Sequence, residues 1–190
     1  MAIYKLNDLC EGIRGNCSFQ KKDLQKDFEI NSFVGLHYGK TYKEDKINSS
    51  YPYYVDKIFF KANQIVEKND TVLISTSETL EDLGHSYIYN RDSVGLLGGE
   101  QILLKAKESV IDKQYLYYLS KGLKEQFRRY ATGMKVYRFK IQDFKFIKVD
   151  VPALETQKKI IEIIKPIELL FLKYSKLVRI NTIDNCKKDI

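Results

Sequence analysis

Arg128, Arg129, Lys135 and Arg138 bracket the turn Ala131-Thr132-Gly133-Met134, with Tyr130 and Tyr137 beside them. Guanidinium forks suit bidentate contacts to phosphate or guanine, and a glycine turn lets backbone amides approach a phosphate. The rings of Tyr130 and Tyr137 could stack on sugar or base. From Lys113 to Lys148 there are ten basic residues and two acidic ones, while the rest of this chain of net charge +7 sums to −1. A positive balance gathered in one segment points to a polyanion-binding face, whereas evenly spread lysines would serve only solubility. Lys40, Tyr42 and Lys43 form a second basic and aromatic loop, Ser75, Thr76, Ser77 and Glu78 a third, and Arg91 sits in a fourth. The hydroxyls and the acid of the third loop suit discrimination between base edges. The four loops, 38–43, 75–85, 91–99 and 128–138, are expected to share one face. On it Arg128, Arg129 and Lys135 would hold phosphates, with Thr132 and Gly133 in the turn between them, while Arg138, Tyr42 and Ser77 would lie nearer the bases.

Catalytic patterns are missing from the sequence. It holds no Gly-x-x-x-x-Gly-Lys-Ser/Thr loop, no Gly-x-Gly-x-x-Gly opening a helix and no His-Glu-x-x-His pair. The Asn/Asp-Pro-Pro-aromatic motif with which amino-methyltransferases grip a flipped base is also missing. His37 and His85 stand apart, Gly95-x-x-Gly98-Gly99 reads as a turn, and Cys10, Cys17 and Cys186 lack metal-ligand spacing. Reduced thiols, a cytoplasmic location and no bound cofactor are the resulting expectations. No run reaches the roughly 18–20 apolar residues of a membrane span, and the start, Met-Ala-Ile-Tyr-Lys-Leu-Asn-Asp, lacks the pattern of a secretory signal.

The elements that must position these groups follow from periodicity. Apolar content of 44% in 190 residues suits one domain of α+β class, β-rich with mixed or antiparallel strands, plus an appendage. Strands are expected at Phe28–Leu36, in part of Tyr51–Phe60, at Thr71–Thr76, Tyr87–Tyr89 and Gln101–Ala106, and over Phe139–Val151, with Gly95–Gly99 a turn and residues 4–15 a short lead-in. Asp112 should cap a helix running to about Tyr130, ended by a left-handed Gly133. Pro152 follows the last strand, and a long helix carries Ile160, Ile163, Ile167, Leu170, Tyr174 and Leu177 as an apolar stripe in want of a second surface. Pro166 should kink or restart it. The division is a domain over 1–151 and a coiled-coil-type helix over 152–190.

The run Pro152-x-Leu154-Glu155-x-Gln157-x-x-Ile160 resembles the junction that closes each half of the specificity subunit of Type I restriction-modification enzymes. Tyr38-Gly39-Lys40, Asn69 to Thr76, Gly98 to Ile102, Asp112 to Tyr118 and Ala131-Thr132-Gly133 resemble further landmarks of that family in order, although Asn69 and Ala153 depart from its usual Gly and Pro. The resemblance implies a target-recognition domain with one spacer helix. It implies readout of half of a bipartite site in double-stranded DNA by a non-catalytic chain. Methyltransferase subunits, and possible restriction subunits, would then carry S-adenosylmethionine, ATP and Mg. A half-length form would restore two recognition domains by homodimerising through the helix, unless the sequence is one half of a longer parent. Two other readings stand beside it: a protein-interaction module whose helix docks a partner, and an enzyme with an unrecognised site.

Overall fold

The computed structural model describes residues 2–186, with side chains described to Tyr174 apart from Leu172. The chain starts with β1 (Ala2–Lys5), α1 (Leu6–Leu9), β2 (Cys10–Arg14), β3 (Ser32–Leu36) and α2 (Tyr38–Thr41). It continues through β4 (Lys46–Ile47), β5 (Tyr54–Asp56), β6 (Ile65–Val66), β7 (Thr71–Ile74), β8 (Thr76–Ser77), β9 (Ser86–Tyr89), β10 (Gly95–Leu97) and β11 (Gln101–Ala106). The last part holds α3 (Lys113–Gly122), α4 (Lys124–Arg129), β12 (Tyr137–Arg138), β13 (Lys148–Val151) and α5 (Leu154–Cys186).

One sheet has the order β2-β11-β7-β9-β4 and another the order β5-β3-β10-β6, with β1-β13 and β12-β8 as two-stranded pairs. Most pairings are antiparallel, while β10 with β3 and β4 with β9 are parallel. The α+β, β-rich architecture expected from the sequence is therefore present. The unbroken apolar runs of β7 and β11 follow from burial on both faces. Val72, Ile74 and Leu103 point into a core with Val34, Leu36, Tyr87 and Leu97, while Leu73, Ile102 and Leu104 point into another with Leu6, Leu116, Phe127 and Phe144.

Several local expectations need correction. Residues 95–97 are a strand seated parallel to β3, because the Gly95 backbone lies against Tyr89 and Leu36 and a side chain there would meet both. Residues 141–146 form a 3-10 helix that buries Phe144, so the strand before Pro152 shrinks to β13. The expected long helix after Asp112 is two helices, broken at Leu123 (φ −91°, ψ 0°). Asp112 does cap the first, accepting from the amides of Gln114 at 2.8 Å and Tyr115 at 3.2 Å. Helix α5 runs through Pro166 without a restart. One missing amide in a helix of 33 residues is tolerated where the turns on either side remain bonded.

Candidate nucleic-acid interface

The 38–43, 75–85 and 128–138 loops meet, and the 91–99 loop reaches them at its Gly98 end, where the Gly98 amide donates to the Leu36 carbonyl at 3.0 Å. The first link is α2, which is held onto the sheets by the buried Gln101 amide. Its Oε1 accepts from Thr41 Oγ1 at 3.0 Å and from the Tyr87 hydroxyl at 2.7 Å, and its Nε2 donates to the Leu36 carbonyl at 2.6 Å. His37 caps this one-turn helix, its Nδ1 accepting from the Gly39 amide at 3.0 Å. Burial holds the imidazole below its usual pKa, with Lys21 and Lys40 pushing the same way against the Glu100 carboxylate. A neutral ring is what the cap needs, since a protonated Nδ1 would have no lone pair to offer.

The second link ties α2 to the segment after β7. The Tyr38 hydroxyl lies 3.0 Å from Ser77 Oγ, and its ring centroid is 5.5 Å from that of Tyr42. The third link is the ladder of β8 with β12, which opposes Tyr137 to Ser77 and Arg138 to Thr76. The Phe139 amide adds a bond to the Ser75 carbonyl at 3.2 Å. Thr132 and Arg138 then exchange backbone hydrogen bonds of 2.9 Å each way, closing residues 132–138 into a tongue. Gly133 turns that tongue at φ +116°, where a Cβ would lie 2.0 Å from the Val136 carbonyl oxygen.

Cations and rings line the result. Lys40 Nζ sits 4.6 Å from the Tyr53 ring centroid and Lys43 Nζ 5.2 Å from that of Tyr42. The Lys40 ammonium lowers the Tyr53 phenol pKa by hydrogen bonding, and the positive fields of Lys40, Lys26 and Lys21 act in the same direction. Lys43, Arg129, Thr132, Gly133, Lys135 and Arg138 are exposed, and Lys40, Tyr42 and Tyr137 are half-buried. All nine of these expected site residues are therefore accessible.

The other five expected residues are either buried or held by neighbouring groups. Ser75, Thr76 and Ser77 are buried. The amides of Ser75 and Thr76 donate to the Glu100 carbonyl at 3.0 and 3.1 Å, and Ser77 Oγ serves Tyr38 and the Thr79 amide. Strand pairing with β12 turns this hydroxyl-rich run inward, so it supports the face and does not present it. Arg91 is engaged with the Tyr51 carbonyl at 2.8 Å and the Tyr54 hydroxyl at 2.9 Å, which ties the start of the fourth loop to the 51–54 segment. Arg128 is taken up by the Glu125 carboxylate and by the carbonyls of Glu81 and Leu83. Its guanidinium fastens α4 to the 81–83 turn.

Residues the sequence reading passed over complete the face. Lys21 and Lys26 act on Tyr53 from the 20–26 turn, and Glu100 acts on both His37 and Tyr38. Arg14, Lys140 and Gln142 line a cavity of about 290 Å3 with Ser75, Ile102, Phe139 and Ile141. Arg14 closes β2 and pairs with Ile102, a long-range register no local pattern announces. The run Gln20-Lys21-Lys22 was the one available signal, as a basic turn with no apolar periodicity.

Nucleophilic chemistry finds no support at the two described thiols, Cys10 and Cys17. Burial pushes the Cys10 thiol up to about 12 despite Lys107, and burial also raises Cys17. Among the described residues, no group of three or more His, Cys, Asp or Glu is gathered as a metal site would require.

The second surface is α5. Gln157 is fully buried at its start, where Oε1 accepts from the Asp112 amide at 2.8 Å and Nε2 donates to Val110 and Pro152 carbonyls at 2.9 and 2.8 Å. A heptad-like row then docks on the domain: Leu154, Gln157, Ile161, Ile164 and Glu168 are all buried or half-buried. Glu168 ends that row with Lys46 at 2.6 Å and the Tyr118 hydroxyl at 3.0 Å. The expected partner stripe lies on another face of the helix. Ile160 is half-buried, while Ile163, Ile167, Leu170 and Tyr174 are 63, 60, 54 and 64% exposed. Leu177 lies outside the residues whose side chains are described. No described helix is long and apolar enough to cross a membrane.

Comparison with solved structures returns the same architecture. The HsdS subunit from Thermoanaerobacter tengcongensis aligns with TM-score 0.63 at 15% identity, over 89% of this chain and 37% of that one. A chain from a study of complex assembly and conformational transition of the type I R-M system aligns with TM-score 0.66 at 14% identity, over 89% and 38%. The Type I restriction-modification S subunit from M. genitalium aligns with TM-score 0.50 at 16% identity, over 77% and 33%. The present chain thus spans less than two fifths of each of these chains. No curated protein matches it. Residues 1–184 match the Type I restriction modification DNA specificity domain, and the chain belongs to that family.

Proposed function

We propose that this chain is a sequence-reading module for double-stranded DNA, recognising one half of a bipartite target for a Type I restriction-modification complex. The observation that carries the reading is the convergence of α2, the 75–77 segment and the 132–138 tongue, three pieces distant in sequence, into one basic and aromatic face. Lys40, Lys43, Arg129 and Lys135 would hold phosphates, fixing register without sequence information. Arg138 and Tyr42 would lie nearer base edges. Family membership supports the same reading. Catalysis would reside on methyltransferase subunits, with restriction subunits as possible further partners, and these would bring S-adenosylmethionine, ATP and Mg.

The exposed row Ile163, Ile167, Leu170 and Tyr174 supports a second part of the proposal, a homodimer through α5. The spacing alternates between three and four residues, as in a coiled-coil seam. A helix of 33 residues is about 50 Å long. That length suits a spacer holding two recognition domains at least one DNA turn apart, about 34–36 Å. A helix from a different protein, seated on the same row, would be the alternative.

The test of DNA binding is its salt dependence. Replacing Arg129 and Lys135 together with alanine should weaken binding and reduce the slope of log K against log salt by about 2, one unit for each phosphate contact. A slope equal to the parent's would reject the phosphate roles.

A further inference from the structure

Glu100 is an acid on a face expected to bind phosphate, and of the two exposed acids that act on Tyr38, Glu100 and Glu78, it acts the more strongly. It is exposed, and its carboxylate acts on His37 and Tyr38 at the centre of the basic loops. Its backbone sits at φ +68°, one of two non-glycine residues at positive φ among those described. The other is Asn69, a residue type that accepts this conformation readily. For a glutamate the left-handed region is unfavourable, and such strain is informative when a functional reason can be found for it. Two glycines, Gly98 and Gly99, immediately precede it, so a glycine at this turn would be unremarkable chemically.

The surroundings fix where the residue stands. Its carbonyl accepts from the amides of Ser75 at 3.0 Å and Thr76 at 3.1 Å, and Thr76 is paired with Arg138. The peptide is therefore locked at the point where the 75–77 segment, the tongue and the end of β3 come together. No hydrogen bond or ion pair engages the carboxylate among the described residues; the exposed Glu78 shares that freedom but acts less strongly on Tyr38 than Glu100 does and has no part in holding the His37 cap. The nearby Asp82 is occupied by the Thr79 hydroxyl. A free carboxylate among lysines repels phosphate and accepts from any N–H donor brought to it. The donor that DNA offers to an acceptor-only group in the major groove is an exocyclic amine, and glutamate suits the N4 amine of cytosine.

Resting on the DNA-reading role above, we propose that Glu100 is a specificity-determining residue whose carboxylate accepts a hydrogen bond from a cytosine N4 amine in the major groove. Selection from a duplex library with randomised tracts, using the full chain assembled with its methyltransferase subunit, tests it. The parent should enrich a motif containing an obligatory cytosine. Glu100→Ala should lose preference at that single position, keep the others, and bind the parent's motif about tenfold more weakly. Glu100→Gln should move the preference from cytosine toward adenine, because a carboxamide matches adenine N6 and N7. Glu100→Gly should melt no lower than the parent, since the side chain is not kept for the turn's sake. A parent motif that survives unchanged in the alanine and glutamine variants overturns the Glu100 role alone. A parent that enriches no motif overturns both this role and the DNA-reading function beneath it.

Discussion

Gln157 gives a physical reason for the Pro-x-Leu-Glu-x-Gln run that stood out in the sequence. Its amide closes hydrogen bonds to three backbone groups at the Asp112 and Pro152 turns while wholly buried. Gln157→Leu fills the space but leaves those groups unpaired, and should cost about 3 kcal/mol in a urea unfolding experiment. The motif was legible; its bonding was not, because Val110 and Asp112 lie more than forty positions away. The same non-locality misplaced Ser75, Thr76 and Ser77, whose polar side chains read as a loop until β12 is set beside them. His37 carries a pH dependence of defined sign. Its folded pKa is lowered by burial, so the unfolded chain takes up the proton first as pH falls. The stability it contributes is complete above its unfolded value near 6.5 and is lost as pH drops through the folded value. His37→Asn keeps an acceptor for the Gly39 amide without the titration, and should flatten the decline in melting temperature between pH 7 and pH 5. An equally steep decline in the variant would assign the effect to other groups.

At the scale of elements, periodicity served where burial alternates and failed where a short segment takes its shape from a neighbour. β11 and the Asp112 cap were readable, because propensity and capping are local, whereas Gly133, expected to end the helix, turns the tongue instead, and the helix closes at Tyr130. β10 was hidden by its glycines, which read as a turn until their close packing on β3 and Tyr89 is seen. The 3-10 segment 141–146 mimicked a strand because its aromatics serve a core above and solvent below. The tongue makes a direct prediction. Gly133→Ala places a methyl against the Val136 carbonyl and should open the 132–138 turn. Hydrogen exchange at the Thr132 and Arg138 amides would then accelerate while β7 and β11 keep their protection. Arg128 and Arg129, adjacent and alike in sequence, should separate in the same assay family. Arg128→Ala should lower the melting temperature by several degrees through lost bonds to the 81–83 turn, and Arg129→Ala should leave it unchanged.

At the scale of the whole molecule, one face carries cations and rings, and one helix carries an apolar row that faces away from its own domain. The row was legible as a stripe, but the sequence did not separate it from the docked row that ends at Glu168, since both are heptad-spaced on the same helix. Ile163→Glu with Leu170→Glu should convert a dimer to a soluble monomer by light scattering, leaving the docked row intact. Dimeric mass in that double variant would reject the helix seam. The central claim, that the chain reads half of a bipartite DNA site for a modification complex, is tested most directly by sequencing the methylome of cells with and without the gene. The account predicts a bipartite, two-fold symmetric methylated motif that disappears when the gene is removed. A methylome that is the same in both strains would contradict it.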